Sequence, residues 1–263
     1  MENASKVIRW AITSSVVAII LISVIAALGI SNSRKEATVC TCVNIIIKDS
    51  TESQFVSKTD VEKYIASGYG KCKDMKISSI DLTKIESGID NQSAVLKSEA
   101  YITPDGKLNI EVIQRKPFMR LQKGNKGFYC DSNGYIFPTK SGYSSHVTVI
   151  DGHIPLSLEE GYKGKGKNAE EMKWISDMTE MVAYMMDDKV WADDIVQVNV
   201  RENGDLILIP REGNEKFIFG KPENIKDKFK LMSCYYTHIL PAKGNGYYST
   251  VNVKYDGQII CKK

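Results

Sequence analysis

From Ala11 to Ile30 the chain reads AITSSVVAIILISVIAALGI, twenty residues without a charge, interrupted only by Thr13, Ser14, Ser15 and Ser23. Twenty helical residues rise about 30 Å, the depth of one bilayer core, so the run predicts a single membrane-spanning helix over residues 11–30. Lys6 and Arg9 precede it and Trp10 stands at its boundary, which fits a cytoplasmic tail over residues 1–10, although Arg34 and Lys35 beyond the run weaken that asymmetry. A cleaved signal peptide is the alternative, with Ala27-Leu28-Gly29 as a poor cleavage site. Its apolar core is usually only about 7 to 15 residues long, however. No second apolar stretch of this length follows, so the remainder is expected on one side of the membrane, the periplasm.

After a linker at 31–41, Val43 to Ile47 is a β-branched run that predicts a strand. Ser57-Lys58-Thr59-Asp60 is a helix-start cluster ahead of Val61, Tyr64 and Ile65 at helical spacing, stopped by Gly68 and Gly70. Ile80, Leu82, Ile85 and Ile89 then recur three to four apart, predicting a second helix over Ile80 to Gln92 with Asp81, Lys84, Glu86 and Asp90 on its other side. Val95 to Thr103 and Lys107 to Arg115 alternate around Pro104-Asp105-Gly106, a strong hairpin signal because glycine takes the positive-φ turn position at little steric cost. The order over residues 42–115 is β-α-α-β-β.

Beyond Lys116-Pro117 the pattern becomes one of short strands separated by turn residues. Strands are predicted at Gly127 to Cys130, Tyr135 to Phe137, Val147 to Ile150, Ile195 to Arg201, Asp205 to Pro210 and Lys216 to Phe219. The last three are joined by connections short enough to require antiparallel neighbours. A helix from about Asn168 to Asp187 puts Met172, Ile175, Met178, Val182 and Met185 on one face, read as core packing rather than an adaptable groove. Another from about Glu223 to Ile239, ending at Pro241, turns Ile225, Phe229, Met232, Tyr235 or Tyr236, and Ile239 towards the sheet. Tyr247 to Tyr255 and Gln258 to Lys262 form a closing hairpin about Asp256-Gly257. The fold class is α+β: a transmembrane helix, a β-α-α-β-β module, then a mainly antiparallel β domain at 116–263 with flanking helices.

Composition changes little in this picture. The 35 basic and 32 acidic residues nearly balance, which points away from nucleic acid. Gly161 to Asn168 (GYKGKGKN) almost spells a phosphate-binding loop, but Asn168 lacks the hydroxyl that would hold Mg²⁺, and Ile154-Pro155-Leu156 is a poor preceding strand. The three histidines, His146, His153 and His238, are dispersed. His146 beside Ser144 and Ser145 is discounted because neighbours along a strand point to opposite faces. Asp193-Asp194 reads as solvated rather than as an acid/base pair, and Cys40-Thr41-Cys42 as core thiols rather than a zinc site, with cysteine pairing left open. No catalytic constellation, cofactor or metal is indicated, and no small-molecule substrate.

The order of these parts resembles the FtsQ/DivIB family of bacterial cell-division proteins, especially its Bacteroidetes forms. Residues 42–115 look like the family's polypeptide-transport-associated (POTRA) module. Gln114-Arg115-Lys116-Pro117 stands at the E-R-x-P-type junction, with glutamine in place of the acid. Asp131-Ser132-Asn133-Gly134-Tyr135-Ile136-Phe137 matches the D-x-x-G-x-x-F turn, and Val251 to Ile259 the closing hairpin. The resemblance implies a non-enzymatic divisome scaffold of the inner membrane at the septum. It would recruit FtsB-like and FtsL-like single-span proteins and dock other division components through the POTRA-like module. It also carries a partner-binding surface onto Lys254, Tyr255, Gly257, Gln258, Ile259 and Ile260, where an exposed C-terminal strand would accept a partner's extended segment. The alternatives are a POTRA-containing component of an outer-membrane assembly or secretion system, for which too few strands remain to build a barrel, and a membrane-tethered periplasmic hydrolase.

Overall fold

The computed structural model describes residues 15–25, 38–50 and 54–263. Residues 15–25 are helical, and Val16, Val17, Ile19, Ile20, Leu21, Ile22, Val24 and Ile25 are each between 49% and 67% exposed. The one hydroxyl in the middle of this segment is satisfied by its own helix, Ser23 Oγ donating to the Ile20 carbonyl at 2.8 Å. No helix among the described residues is long and apolar enough to cross a membrane. The expected span is helical over its central residues 15–25, its two ends lie outside the described residues, and a crossing of the membrane is not supported by the described helix.

The described residues separate into two units, one of those up to 48 with 56–113, and one of those in 49–55 with 114–263. The first has the expected order: β1 (Cys42–Ile47), α1 (Lys58–Gly68), α2 (Leu82–Asp90), β2 (Val95–Ile102) and β3 (Lys107–Gln114). β1 lies parallel to β3 in a three-stranded sheet ordered β1-β3-β2. Ser57 and Asp60 form a reciprocal capping box at the start of α1. The core is built from alternate positions, Ile45 on β1 and Leu108, Ile110 and Val112 on β3, against Val61 and Ile65 of α1 and Ile85 and Ile89 of α2. The opposite sheet face carries polar pairs, Asn44 donating to Asn109 at 3.0 Å and Lys48 paired to Glu111 at 2.5 Å, beside the exposed Ile46 and Ile113.

The second unit is one nine-stranded sheet. It comprises β4 (Met119–Lys123), β5 (Lys126–Cys130), β6 (Ile136–Pro138), β7 (Val149–Gly152), β8 (Ile195–Val200), β9 (Leu206–Pro210), β10 (Lys216–Gly220), β11 (Thr250–Asn252) and β12 (Ile260–Lys262), ordered β12-β11-β10-β9-β8-β7-β4-β5-β6. Most neighbours are antiparallel, but β4–β7, β7–β8 and β10–β11 are parallel. Parallel pairing needs a long crossover. Two of these crossovers are helical: α3 (Ala169–Asp187) with the short α4 (Trp191–Asp194) joins β7 to β8, and α5 (Ile225–Cys234) lies between β10 and β11. Ile175, Met178, Met181, Val182 and Met185 of α3 and Phe229 and Met232 of α5 pack with Leu121, Phe128, Ile150, Val198, Leu208 and Phe217 in one core.

Three expectations are corrected. Met172 is 47% exposed and Met181 takes its place in the core. The second long helix does not end at Pro241. After α5 it widens into a π-helical stretch, Tyr235–Ile239, where the Leu240 amide reaches the Tyr235 carbonyl, and closes in α6 (Leu240–Lys243). The widening precedes the one residue that has no amide to contribute, so the proline is accommodated instead of breaking the helix. Residues 144–148 are irregular rather than part of β7. His146, Ser144 and Ser145 therefore line one cleft of about 350 Å³ with Arg120 and Arg211, although no hydrogen bond joins the histidine to either serine.

Candidate partner-binding surface

A sheet of this kind has two edges, and they are treated differently. At one end, Ile136 of β6 exchanges two main-chain hydrogen bonds with Gly164, its amide donating to the Gly164 carbonyl at 2.8 Å and the return bond measuring 2.9 Å. Ile136 and Phe137 are fully buried, and Pro138 has no amide to offer. That edge is closed. At the other end β12 pairs with β11 alone, through Thr250 with Lys262, Val251 with Cys261 and Asn252 with Ile260. Cys261 and the preceding Ile259 are half-buried against the core, while Ile260 and Lys262 are exposed.

The hairpin expected from Tyr247 to Lys262 is thus reduced to two three-residue strands, and most of the proposed partner residues fall in the connection between them. The cause is local chemistry. Asn252 accepts the Lys254 amide on its side-chain oxygen at 2.9 Å, which turns the chain at the end of β11. Lys254 is then drawn across Gly220, where φ is +77° and a Cβ would meet the lysine chain at 2.7 Å, to pair with Asp205 at 2.8 Å. Burial alone would push Asp205 up, but the hydrogen bonds from Lys254 and Asn203 hold its carboxyl below the usual range. Lys254 is therefore an internal tie.

Tyr255 is 52% exposed, Gly257 takes φ +67° in the turn, and the Gln258 amide returns to the Tyr255 carbonyl at 3.2 Å. Of the six residues, Tyr255, Gly257, Gln258 and Ile260 are exposed, Lys254 and Ile259 are half-buried, and Ile260 alone lies in the edge strand. Sequence reasoning did not single out Tyr247. It is 40% exposed, packs edge-on against Tyr248 with centroids 4.8 Å apart, and has the Lys263 ammonium 4.3 Å above its ring. Beside the connection, Asp227, Lys228, Leu231 and Cys234 of α5 form a cleft of about 340 Å³ with Tyr255, Asp256 and Gly257.

The junction motif acts as a clamp within the second unit. Arg115 donates to Asp131 at 2.8 Å, with side chains only 13% and 6% exposed, and its guanidinium stacks 3.5 Å from the Tyr135 ring centroid. The other Asp131 oxygen accepts the amides of Asn133 and Tyr135, both at 2.9 Å. The turn motif and the junction arginine are thus one hydrogen-bonded assembly. Gln114 donates from its side-chain nitrogen to Asp49 at 3.1 Å, and its main-chain amide does the same. A glutamate side chain there would repel that carboxylate.

In the loop at Gly161 to Asn168 the amides of Tyr162, Gly164 and Lys167 are already in use. Glu171, 6% exposed, accepts from the Lys167 amide at 2.7 Å and from the Ser157 amide at 2.9 Å. Asn168 caps α3 by accepting from the Glu171 amide at 2.8 Å. The chain's own carboxylate thus takes the Lys167 amide that a phosphate bound in this loop would compete for. Among the described residues no group of three or more His, Cys, Asp or Glu is placed to hold a metal ion.

Comparison with family models gives two matches. Residues 116–262 match the model described as FtsQ/DivIB, C-terminal related, and residues 38–113 match that of the POTRA-like domain. A search of curated proteins gives no match.

Proposed function

Because the chain belongs to the FtsQ/DivIB family, whose members are non-enzymatic cell-division proteins, we propose that it is a membrane-tethered scaffold of the bacterial divisome that captures FtsB-like and FtsL-like partners by strand addition at β12. The asymmetry of the nine-stranded sheet carries this reading. One edge is sealed by Gly164 and Pro138; the other ends in a short strand with exposed Ile260 and Lys262 and no neighbour beyond it among the described residues. Unsealed edges invite non-specific pairing unless they serve a partner, and lysines at the rim deter indiscriminate strands while favouring acidic ones. The partner surface is Tyr255, Gly257, Gln258, Ile259 and Ile260, with Lys254 holding the connection in place and Tyr247 flanking the strand.

The same reading puts residues 11–30 in the inner membrane as a single span, both units in the periplasm at the septum, and the POTRA-like unit against other division components. The exposed aliphatic surface of residues 15–25 supports the anchor, since it is costly in water and favourable in lipid. The test is capture of an FtsB-like partner by the full chain and by an Ile260→Asp, Lys262→Asp double variant. Both side chains are exposed, so the fold should survive, as a thermal melt would verify. Affinity should fall at least tenfold. Unchanged capture by the folded variant would remove β12 from the interface.

A further inference from the structure

Three of the six cysteines lie close together in the first unit. Cys40 is fully buried and Cys72 is 3% exposed, whereas Cys42 is exposed. The segment before β1 runs antiparallel to the loop after α1. The Cys40 amide donates to the Met75 carbonyl at 2.8 Å, the Asp74 amide donates to the Cys40 carbonyl at 2.8 Å, and Val39 bridges Lys76. That loop is itself folded back by a turn in which the Met75 amide meets the Cys72 carbonyl at 3.2 Å, with Asp74 in the left-handed region at φ +68°. The turn carries Cys72 back to the stretch of chain that Cys40 pairs with, and both thiols are buried.

From this arrangement we infer that Cys40 and Cys72 are a disulfide site, joining the chain just after the membrane linker to the body of the POTRA-like unit. The structure describes the thiol form, in which the Cys40 sulfur lies 3.6 Å from the Cys42 carbonyl and within reach of the Leu108 amide, both weak contacts for a thiol. Burial raises the pKa of both thiols, and the negative charge of Cys40 raises that of Cys72 further, as expected of neighbours. Such thiols are unreactive once enclosed, so the bond forms as the unit folds. One thiolate attacks an external disulfide, either a small one such as oxidised glutathione or that of a thiol oxidoreductase, and releases one thiolate from it. The other cysteine thiolate then displaces the second. One S–S bond is made, one is broken, and the two protons pass to the released thiols. The bridge encloses α1 and ties down the end of the unit on which tension from a membrane anchor would act.

The experiment uses the full chain in detergent, refolded with and without oxidised glutathione, blocked with N-ethylmaleimide, and digested without reduction for mass spectrometry. A peptide pair joining Cys40 to Cys72 is expected, retained in Cys42→Ser and lost in Cys40→Ser. The first unit should melt at least about 5 °C higher oxidised than reduced. Recovery of both Cys40 and Cys72 as blocked thiols after oxidative refolding, or a link from either to another cysteine, would overturn the inference. If the bridge forms in vitro but the protein taken from cells carries both as thiols, the site stands and the periplasmic placement falls instead.

Discussion

Arg115 is a nearly buried charge with both of its partners inside the second unit. Its charge is held between Asp131 and the face of Tyr135, almost out of solvent, and Asp131 in turn organises the turn that leads into β6. Removing one partner from such a pair leaves the other charge buried and uncompensated, which costs about 3 to 5 kcal/mol. Arg115→Met is therefore expected to lower the unfolding free energy of the second unit by about 3 kcal/mol in urea titration. Arg115→Lys should fall between, because an ammonium keeps the charge but loses the planar stack. A loss under about 1 kcal/mol for Arg115→Met would show that the pair is not a structural tie. Both motifs were readable in the sequence as motifs. That they are halves of one contact was not, since the pairing spans sixteen positions and depends on β4 and β5 lying side by side. The compensation of Gln114 by Asp49 was hidden for the same reason.

At the scale of elements, most of what was encoded by local periodicity and turn chemistry was legible. The β-α-α-β-β order, the Asp105-Gly106 hairpin, the start of α3 at Asn168 and the three antiparallel strands β8 to β10 all follow from such signals. β4 was missed although Met119 and Leu121 alternate with Arg120 and Gln122. The other failures depended on tertiary partners: Pro241 was accommodated by a π-turn, and the last hairpin was shortened because Lys254 is drawn to Asp205. Of the candidate surface, the terminal position of the strand was foreseen, but the division of labour among its residues was not. The loop before α3 illustrates a resemblance undone by one side chain. Burial would raise the pKa of Glu171, yet the amide hydrogen bonds it accepts from Lys167 and Ser157 hold it below the ordinary glutamate value. Its folded pKa thus lies under the unfolded value of about 4.3. The stabilisation is complete above that value and is lost as pH falls through the lower, folded one. Glu171→Gln should cost about 1 to 3 kcal/mol at pH 7, with the gap to the parent chain narrowing below about pH 4.3, as followed by urea unfolding across pH. A gap that stays constant down to pH 3 would mean that the carboxylate charge is not what caps this loop.

For the molecule as a whole, the decisive quantity is the sign of the free energy of residues 15–25 in water against lipid. Eight of these eleven positions present Val, Ile or Leu outward on all sides of the helix, so no rotation of the segment could hide them against a surface. An amphipathic stripe would suit docking to protein or to a membrane interface, whereas a helix apolar all round needs an apolar medium on every side. The anchor reading makes the cost of charge in this segment large. Each lysine near the centre of a span is opposed by about 2.5 to 3.5 kcal/mol on the insertion scale, so Ile19→Lys with Ile22→Lys should cost about 5 to 7 kcal/mol, several powers of ten in the insertion equilibrium. Full-length protein carrying both changes is expected in the soluble fraction after alkaline extraction, while the parent chain stays with the membranes. The same variant should still bind an FtsB-like ectodomain in solution, because β12 belongs to a unit with its own core. Retention of the doubly charged chain in the membrane pellet would mean that some other part of the molecule holds it there.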